Sequence, residues 1–132
     1  MEHPTLQGRS ILIVEDNALI TMDLTMALED AGADLTSTNT LKHALILVEH
    51  DGLSAAILDH ALGDGDSSLL CKRLKERGIP FVIYSGYPKS KDAPEDQVYL
   101  SKPASHQVVV AAMDGLIQRA ENSNGSDRST KH

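Results

Sequence analysis

Residues 10–16, Ser10-Ile11-Leu12-Ile13-Val14-Glu15-Asp16, decide how this chain is read: an unbroken apolar run, mostly β-branched, leads straight into two carboxylates. Apolar character that is continuous rather than alternating marks a strand covered on both faces, as in a parallel sheet.

Three further runs repeat the pattern: Ala55-Ala56-Ile57-Leu58, Phe81-Val82-Ile83-Tyr84 and the shorter Val98-Tyr99-Leu100. Asp34 to Thr38 is more polar and reads as a weaker, edge strand. Helix-like stretches lie between. Ile20, Leu24, Ala27 or Leu28, and Ala31 recur at helical spacing, and Gly32 follows where a helix would end. Leu41, Ala44, Leu45 and Val48 do the same between Thr40 and Gly52, and Leu70 and Leu74 precede the stop Gly78-Ile79-Pro80. A last helix carries Val109, Ala112, Met113, Leu116, Ile117 and Ala120 behind a Ser105 cap. Strands alternating with helices in units of about 20 residues predict a doubly wound α/β domain with right-handed crossovers.

One connection is irregular. Ser85 to Gln97 contains Pro88, Pro94 and several charges with little apolar periodicity, so a fourth helix there is expected to be short or disordered. The expected division is an N-terminal arm over 1–9, a domain over 10–120 and a disordered tail over 121–132, a segment without apolar residues.

A length of 132 residues predicts one domain with one core, and no second folded output domain is expected within it. Twelve basic against 19 acidic residues give a formal charge of −7, which argues against wrapping nucleic acid or an anionic membrane. Cys71 is the single cysteine, so no internal disulfide is expected. The start shows no signal-peptide pattern, and no apolar run approaches the roughly 20 residues that span a bilayer. The expected setting is the cytoplasm.

In open α/β sheets, ligands bind outside the carboxyl ends of the strands. The residues that follow the apolar runs are Glu15 and Asp16, then Asp59, then Ser85, then Lys102. Three carboxylates, a hydroxyl and an ammonium would converge on one rim. Carboxylates so placed raise one another's pKa unless a cation sits among them, and oxygen ligands suit Mg²⁺. A carboxylate beside that metal becomes a nucleophile able to form an aspartyl phosphate.

Glu15-Asp16, Asp59, Ser85 and the pair Lys102-Pro103, in this order and each after its strand, resemble the receiver domains of response regulators over about Ser10 to Ala120. The resemblance implies the CheY-like fold, with the flavodoxin-like strand order 2-1-3-4-5. It implies that Asp59 is the phosphoacceptor, taking its group from a sensor histidine kinase or histidine phosphotransfer protein. Glu15, Asp16, Asp59 and the backbone carbonyl of Ala61 would hold Mg²⁺, Ser85 and Lys102 would contact phosphoryl oxygens, and Ser85 with Tyr99 would form the switch. The Lys102–Pro103 peptide would be cis. The chain would then be a single-domain regulator and not a turnover enzyme, signalling to a downstream protein by contact or acting as a phosphate sink. In that second role Ala61 and Tyr87 would tune hydrolysis.

Two departures from the common pattern stand out. Gly63 occupies the place where receivers carry proline, four residues after the acceptor. Phe81 with Tyr84-Ser85-Gly86-Tyr87 resembles the variant α-proteobacterial receivers called the FATGUY subfamily, whose motif has threonine at the serine position and whose fourth helix is altered.

Other residues have plainer readings. Asp64-Gly65-Asp66-Ser67-Ser68 hints at a calcium loop, but Leu69 and Lys75 stand where glycine and glutamate are needed, so it reads as a solvated lead-in to the third helix. His60 has no second histidine at ligand spacing and reads as a surface residue, and His43 and His50 could share a helix face but nothing marks them as ligands. Cys71 reads as a small half-buried apolar residue. Two other functions compete with the phosphoacceptor. A receiver-like adaptor working unphosphorylated would not need the acid pair and lysine. A flavodoxin-like electron carrier would need a hydroxyl- and glycine-rich phosphate loop where Glu15-Asp16 stands, and those charges would repel the flavin phosphate.

Overall fold

The computed structural model describes residues 5–59, 61–62, 65–86 and 97–130. Its elements in chain order are β1 (Ser10–Val14), α1 (Ala18–Asp30), β2 (Asp34–Thr38), α2 (Leu41–Leu47), β3 (Ala55–Asp59), β4 (Ala61–Leu62), β5 (Gly65–Asp66), α3 (Ser68–Glu76), β6 (Phe81–Ser85), β7 (Val98–Ser101) and α4 (His106–Thr130). Ile11 to Val14 are each fully buried. Because successive strand residues point to opposite faces, an unbroken apolar strand must be covered twice. Ile11 and Ile13 enter one core cluster and Leu12 and Val14 the other. β3 divides in the same way, with Ala55 and Ile57 against Ala56 and Leu58, and so does β6, with Val82 and Tyr84 against Phe81 and Ile83.

The two clusters are the two faces of one parallel sheet of order β2-β1-β3-β6-β7. Counted along that sheet alone, this is the expected 2-1-3-4-5. One register row crosses it as Ser37, Ile13, Ile57, Val82 and Val98. Leu24 and Leu28 of α1, with Val109, Met113, Leu116 and Ile117 of α4, seal one face. Ala44 of α2 and Leu70 and Leu74 of α3 seal the other. β2 lies at an edge and exposes Asp34, Thr36 and Ser37, as its polar sequence predicts. Among the described residues no helix is long and apolar enough to cross a membrane.

Helix ends follow local chemistry. The Asn17 side chain accepts hydrogen bonds from the Leu19 and Ile20 N–H groups at 3.0 and 3.2 Å, and Ser105 Oγ accepts from Val108 N–H at 3.2 Å. Gly32, at φ +96°, closes α1. Its N–H donates to the Glu29 carbonyl and the Ala33 N–H to that of Leu28, a turn that a side chain at 32 would strain. Replacing the cap by Asn17→Ala should cost about 1 kcal/mol in urea unfolding, with the dependence on urea unchanged; an unaltered midpoint would show that the cap carries no stability.

Two expectations are corrected. The stretch before α3, read as a solvated lead-in, is exposed at Gly65 and Ser68 but is not an irregular loop: Gly65–Asp66 pairs antiparallel with Ala61–Leu62. The hairpin's Leu62 is buried in the α2–α3 cluster, and Ser67 is buried too. Burial of that one leucine folds the loop against the sheet. At the C-terminus, the backbone of the segment read as a disordered tail continues α4 to Thr130. At that junction Glu121 pairs with Arg9 at 2.5 and 3.0 Å. The arm is anchored as well, since Leu6 is buried and its N–H donates to the Ala31 carbonyl at 2.7 Å. The readings of His60, Gly63, Asp64, Tyr87 and the fourth helix fall outside the described residues.

Candidate functional site

β1 and β3 both end at the same rim of the sheet, which brings their terminal acids together. One carboxylate oxygen from each of Glu15, Asp16 and Asp59 lies within 4.8 Å of the others. Glu15 is 3% exposed, Asp59 is half-buried and Asp16 is exposed. Lys102, just past β7, reaches across the rim. Its Nζ donates to Glu15 Oε1 at 2.9 Å and to Asp59 Oδ1 at 3.2 Å.

The backbone fixes this geometry. The Glu15 N–H donates to the Thr38 carbonyl and the Lys102 N–H to the Ser85 carbonyl, at 3.0 and 2.8 Å. Asn17 N–H donates to Glu15 Oε2 at 3.1 Å. The Lys102–Pro103 peptide is cis. Ser85 ends β6 and is buried, one residue beyond Tyr84, the register partner of Asp59. Tyr99 is the register partner of Ile83 and packs on the α2–α3 cluster. Ala61 follows in β4, two residues after Asp59.

Burial pushes the Glu15 carboxyl above its usual range, against the pull of the Lys102 ammonium and the Asn17 N–H, and neighbouring Asp59 adds to the rise. For Lys102 burial works the other way, disfavouring the ammonium, but Glu15 and Asp59 outweigh it and the net shift is upward. When all are ionised, three carboxylates and one ammonium leave a charge of −3 + 1 = −2 at the rim. Like charges about 4 Å apart repel by about 4 kcal/mol at an effective dielectric of about 20, so one lysine does not neutralise the site. An all-oxygen donor set with that residual charge fits a hard divalent cation such as Mg²⁺.

Two contributors were given no role at the rim by the sequence reading. Asn17 carries a usable signal, a cap-type residue directly before a helical pattern. Tyr84 carries none, because it ends an apolar run and reads as core. Its hydroxyl accepts a hydrogen bond from the Ala104 N–H at 3.0 Å, and Lys102 Nζ lies 5.5 Å from its ring centroid. The remaining candidates stay structural. His43 Nδ1 lies 3.1 Å from Thr38 Oγ1 beside a cleft of about 360 Å³ next to Glu15 and Asp16. Cys71 is half-buried against the α2–α3 cluster.

A five-stranded parallel sheet of this order, with an acidic trio and a lysine at its carboxyl rim, defines the flavodoxin-like, CheY-like class of α/β domain. The model of the response regulator receiver domain matches residues 11–114. The chain belongs to that family, the receivers of two-component signalling. Among curated proteins it is similar to the transcriptional regulatory protein PhoP of Escherichia coli O157:H7, at 29% identity over 116 residues, covering 83% of this chain and 52% of PhoP. The chain thus spans about half the length of the curated relatives it matches. Among solved structures it is similar to the response regulator PhyR from Brucella abortus, with a TM-score of 0.83 and 24% identity, covering 97% of this chain and 56% of that one. The CheY-like receiver protein from Methanospirillum hungatei JF-1 gives a TM-score of 0.77 at 24% identity, covering 87% of this chain and 98% of that one. At such identity these two likenesses concern the fold.

Proposed function

We propose that this receiver takes a phosphoryl group on Asp59 in a Mg²⁺-dependent reaction and passes the signal through protein contacts. The observation that carries the reading is Lys102 Nζ bonded at once to Asp59 and Glu15 within the acidic trio. The donor is the phosphohistidine of a sensor kinase or histidine phosphotransfer protein. An Asp59 carboxylate oxygen attacks phosphorus, the P–N bond breaks, and its electron pair returns to the imidazole nitrogen. The product is an acyl phosphate on Asp59.

Glu15, Asp16, Asp59 and the Ala61 carbonyl hold the metal. When bound, Mg²⁺ offsets the charge of the trio and of the incoming phosphoryl oxygens. Lys102 meets one of those oxygens and Ser85 another, and Ser85 with Tyr99 reports the new charge. The chain is a phosphoacceptor rather than a turnover enzyme, and it works in the cytoplasm as a relay or as a phosphate sink. Residues 10–120 form the receiver unit. The segment Phe81 with Tyr84-Ser85-Gly86-Tyr87 supports placing it with the FATGUY variants.

Binding that favours the folded state raises stability by RT ln(1 + [L]/Kd), about 2.7 kcal/mol at 100 times Kd. Thermal melts with and without MgCl₂ should therefore show an upward shift in wild type that is largely lost in Asp16→Asn, where an exposed ligand is neutralised with little cost to the core. A wild-type melt indifferent to Mg²⁺ would overturn the metal assignment. Incubation with acetyl phosphate tests the acceptor itself.

A further inference from the structure

Tyr84 is 3% exposed and sits at the carboxyl end of β6, where its register partners are Asp59 on β3 and Leu100 on β7. A buried tyrosine in a strand is ordinarily core with a partner for its hydroxyl. This one does more. Its hydroxyl accepts the N–H of Ala104, two residues beyond Lys102, while its ring centroid stands 5.5 Å from Lys102 Nζ. One side chain therefore touches both the charged end of Lys102 and the backbone that follows it.

A lysine ammonium is a point charge on a flexible four-carbon stem, and two carboxylates alone do not restrict it to one place. Glu15 and Asp59 draw it toward the acids, at 2.9 and 3.2 Å. The Tyr84 ring supplies an additional attractive surface for the ammonium, through its negative face, without competing for a proton. We propose that Tyr84 is a positioning residue for Lys102, fixing the ammonium so that it is in place when a phosphoryl group arrives on Asp59. The inference rests on the phosphoacceptor reading only for its consequence in rate; the ring–ammonium arrangement is separate.

The test has two arms. In wild type, nuclear Overhauser contacts are expected between the Tyr84 ring protons and the Lys102 Hε protons. Their absence would overturn the proposal without any variant. In the second arm the protein is phosphorylated by acetyl phosphate at saturating Mg²⁺. Tyr84→Leu should react about tenfold more slowly, a loss in the range expected of a misplaced charged group. Its Mg²⁺ affinity, measured by calorimetry, should stay within about twofold of wild type, because the ligand trio does not involve Tyr84. Tyr84→Phe keeps the ring and should recover to within about threefold. A folded Tyr84→Leu protein with the wild-type rate would also overturn it. Should that variant fail to fold, a Tyr84→Phe protein that keeps the Overhauser contacts and the rate supports the proposal, and one that loses both refutes it. A wild type that takes no phosphoryl group at all would instead defeat the phosphoacceptor reading, and the Overhauser contacts would still decide the placement of Lys102.

Discussion

Asp59→Asn protein, incubated with acetyl phosphate and Mg²⁺, is expected to gain no phosphoryl mass under conditions in which the wild type gains one. The amide lacks the charged oxygen that attacks phosphorus, and neither of the other two carboxylates of the described trio stands in the place of Asp59 at the end of β3. Glu15 is nearly fully buried and already bonded by Lys102 and Asn17. Asp16 is exposed at the mouth of the site. The substitution keeps the shape of the side chain at the end of β3, so loss of labelling would not reflect loss of fold; circular dichroism should be unchanged. The effect is all-or-none in intact-protein mass spectrometry. Labelling of the Asp59→Asn protein at the wild-type level would remove Asp59 from the chemistry, and an unlabelled wild type would remove the reaction itself.

The largest effect on stability should come from the middle of the sheet. Ile57 is 1% exposed, lies between Ile13 and Val82 in register, and belongs to the cluster that α1 and α4 seal. Truncation by Ile57→Ala removes buried methyl groups and leaves a cavity between two layers that are held apart by the rest of the core. Such changes cost about 2–5 kcal/mol, against a typical total of about 5–15 kcal/mol for a domain. Urea unfolding should show a loss of unfolding free energy of that size, with a fall in melting temperature of roughly 10 °C. Thr36→Ala, on the exposed part of edge strand β2, should change stability by less than about 0.5 kcal/mol. Equal effects at the two positions would contradict the layered core.

The strand ends were legible because their residues obey two local rules at once. An unbroken apolar run such as Ile11 to Val14 requires cover on both faces, and that requirement alone implies helices above and below the sheet. In such a sheet the one or two residues after each run fall on one rim, which groups Glu15, Asp16, Asp59 and Lys102. The glycine stops and the Ser105 cap were readable for the same local reason. The hairpin after β3 was not: Gly65 and Asp66 look like loop residues, and only the burial of Leu62 on the α2–α3 cluster pairs them with Ala61 and Leu62.

Composition and pattern by themselves determined the α/β alternation and the two-sided core, because each depends on neighbours along the chain, and a parallel reading of the strands then assigned the acids and the lysine to one rim. Tertiary structure alone decided that Lys102 Nζ bridges Glu15 and Asp59, and that Tyr84 lies against it. Residues 15, 59, 84 and 102 come from four separate segments. Their spacing within a few ångströms is set by how adjacent strands are registered and how the chain leaves β7, which no local pattern encodes.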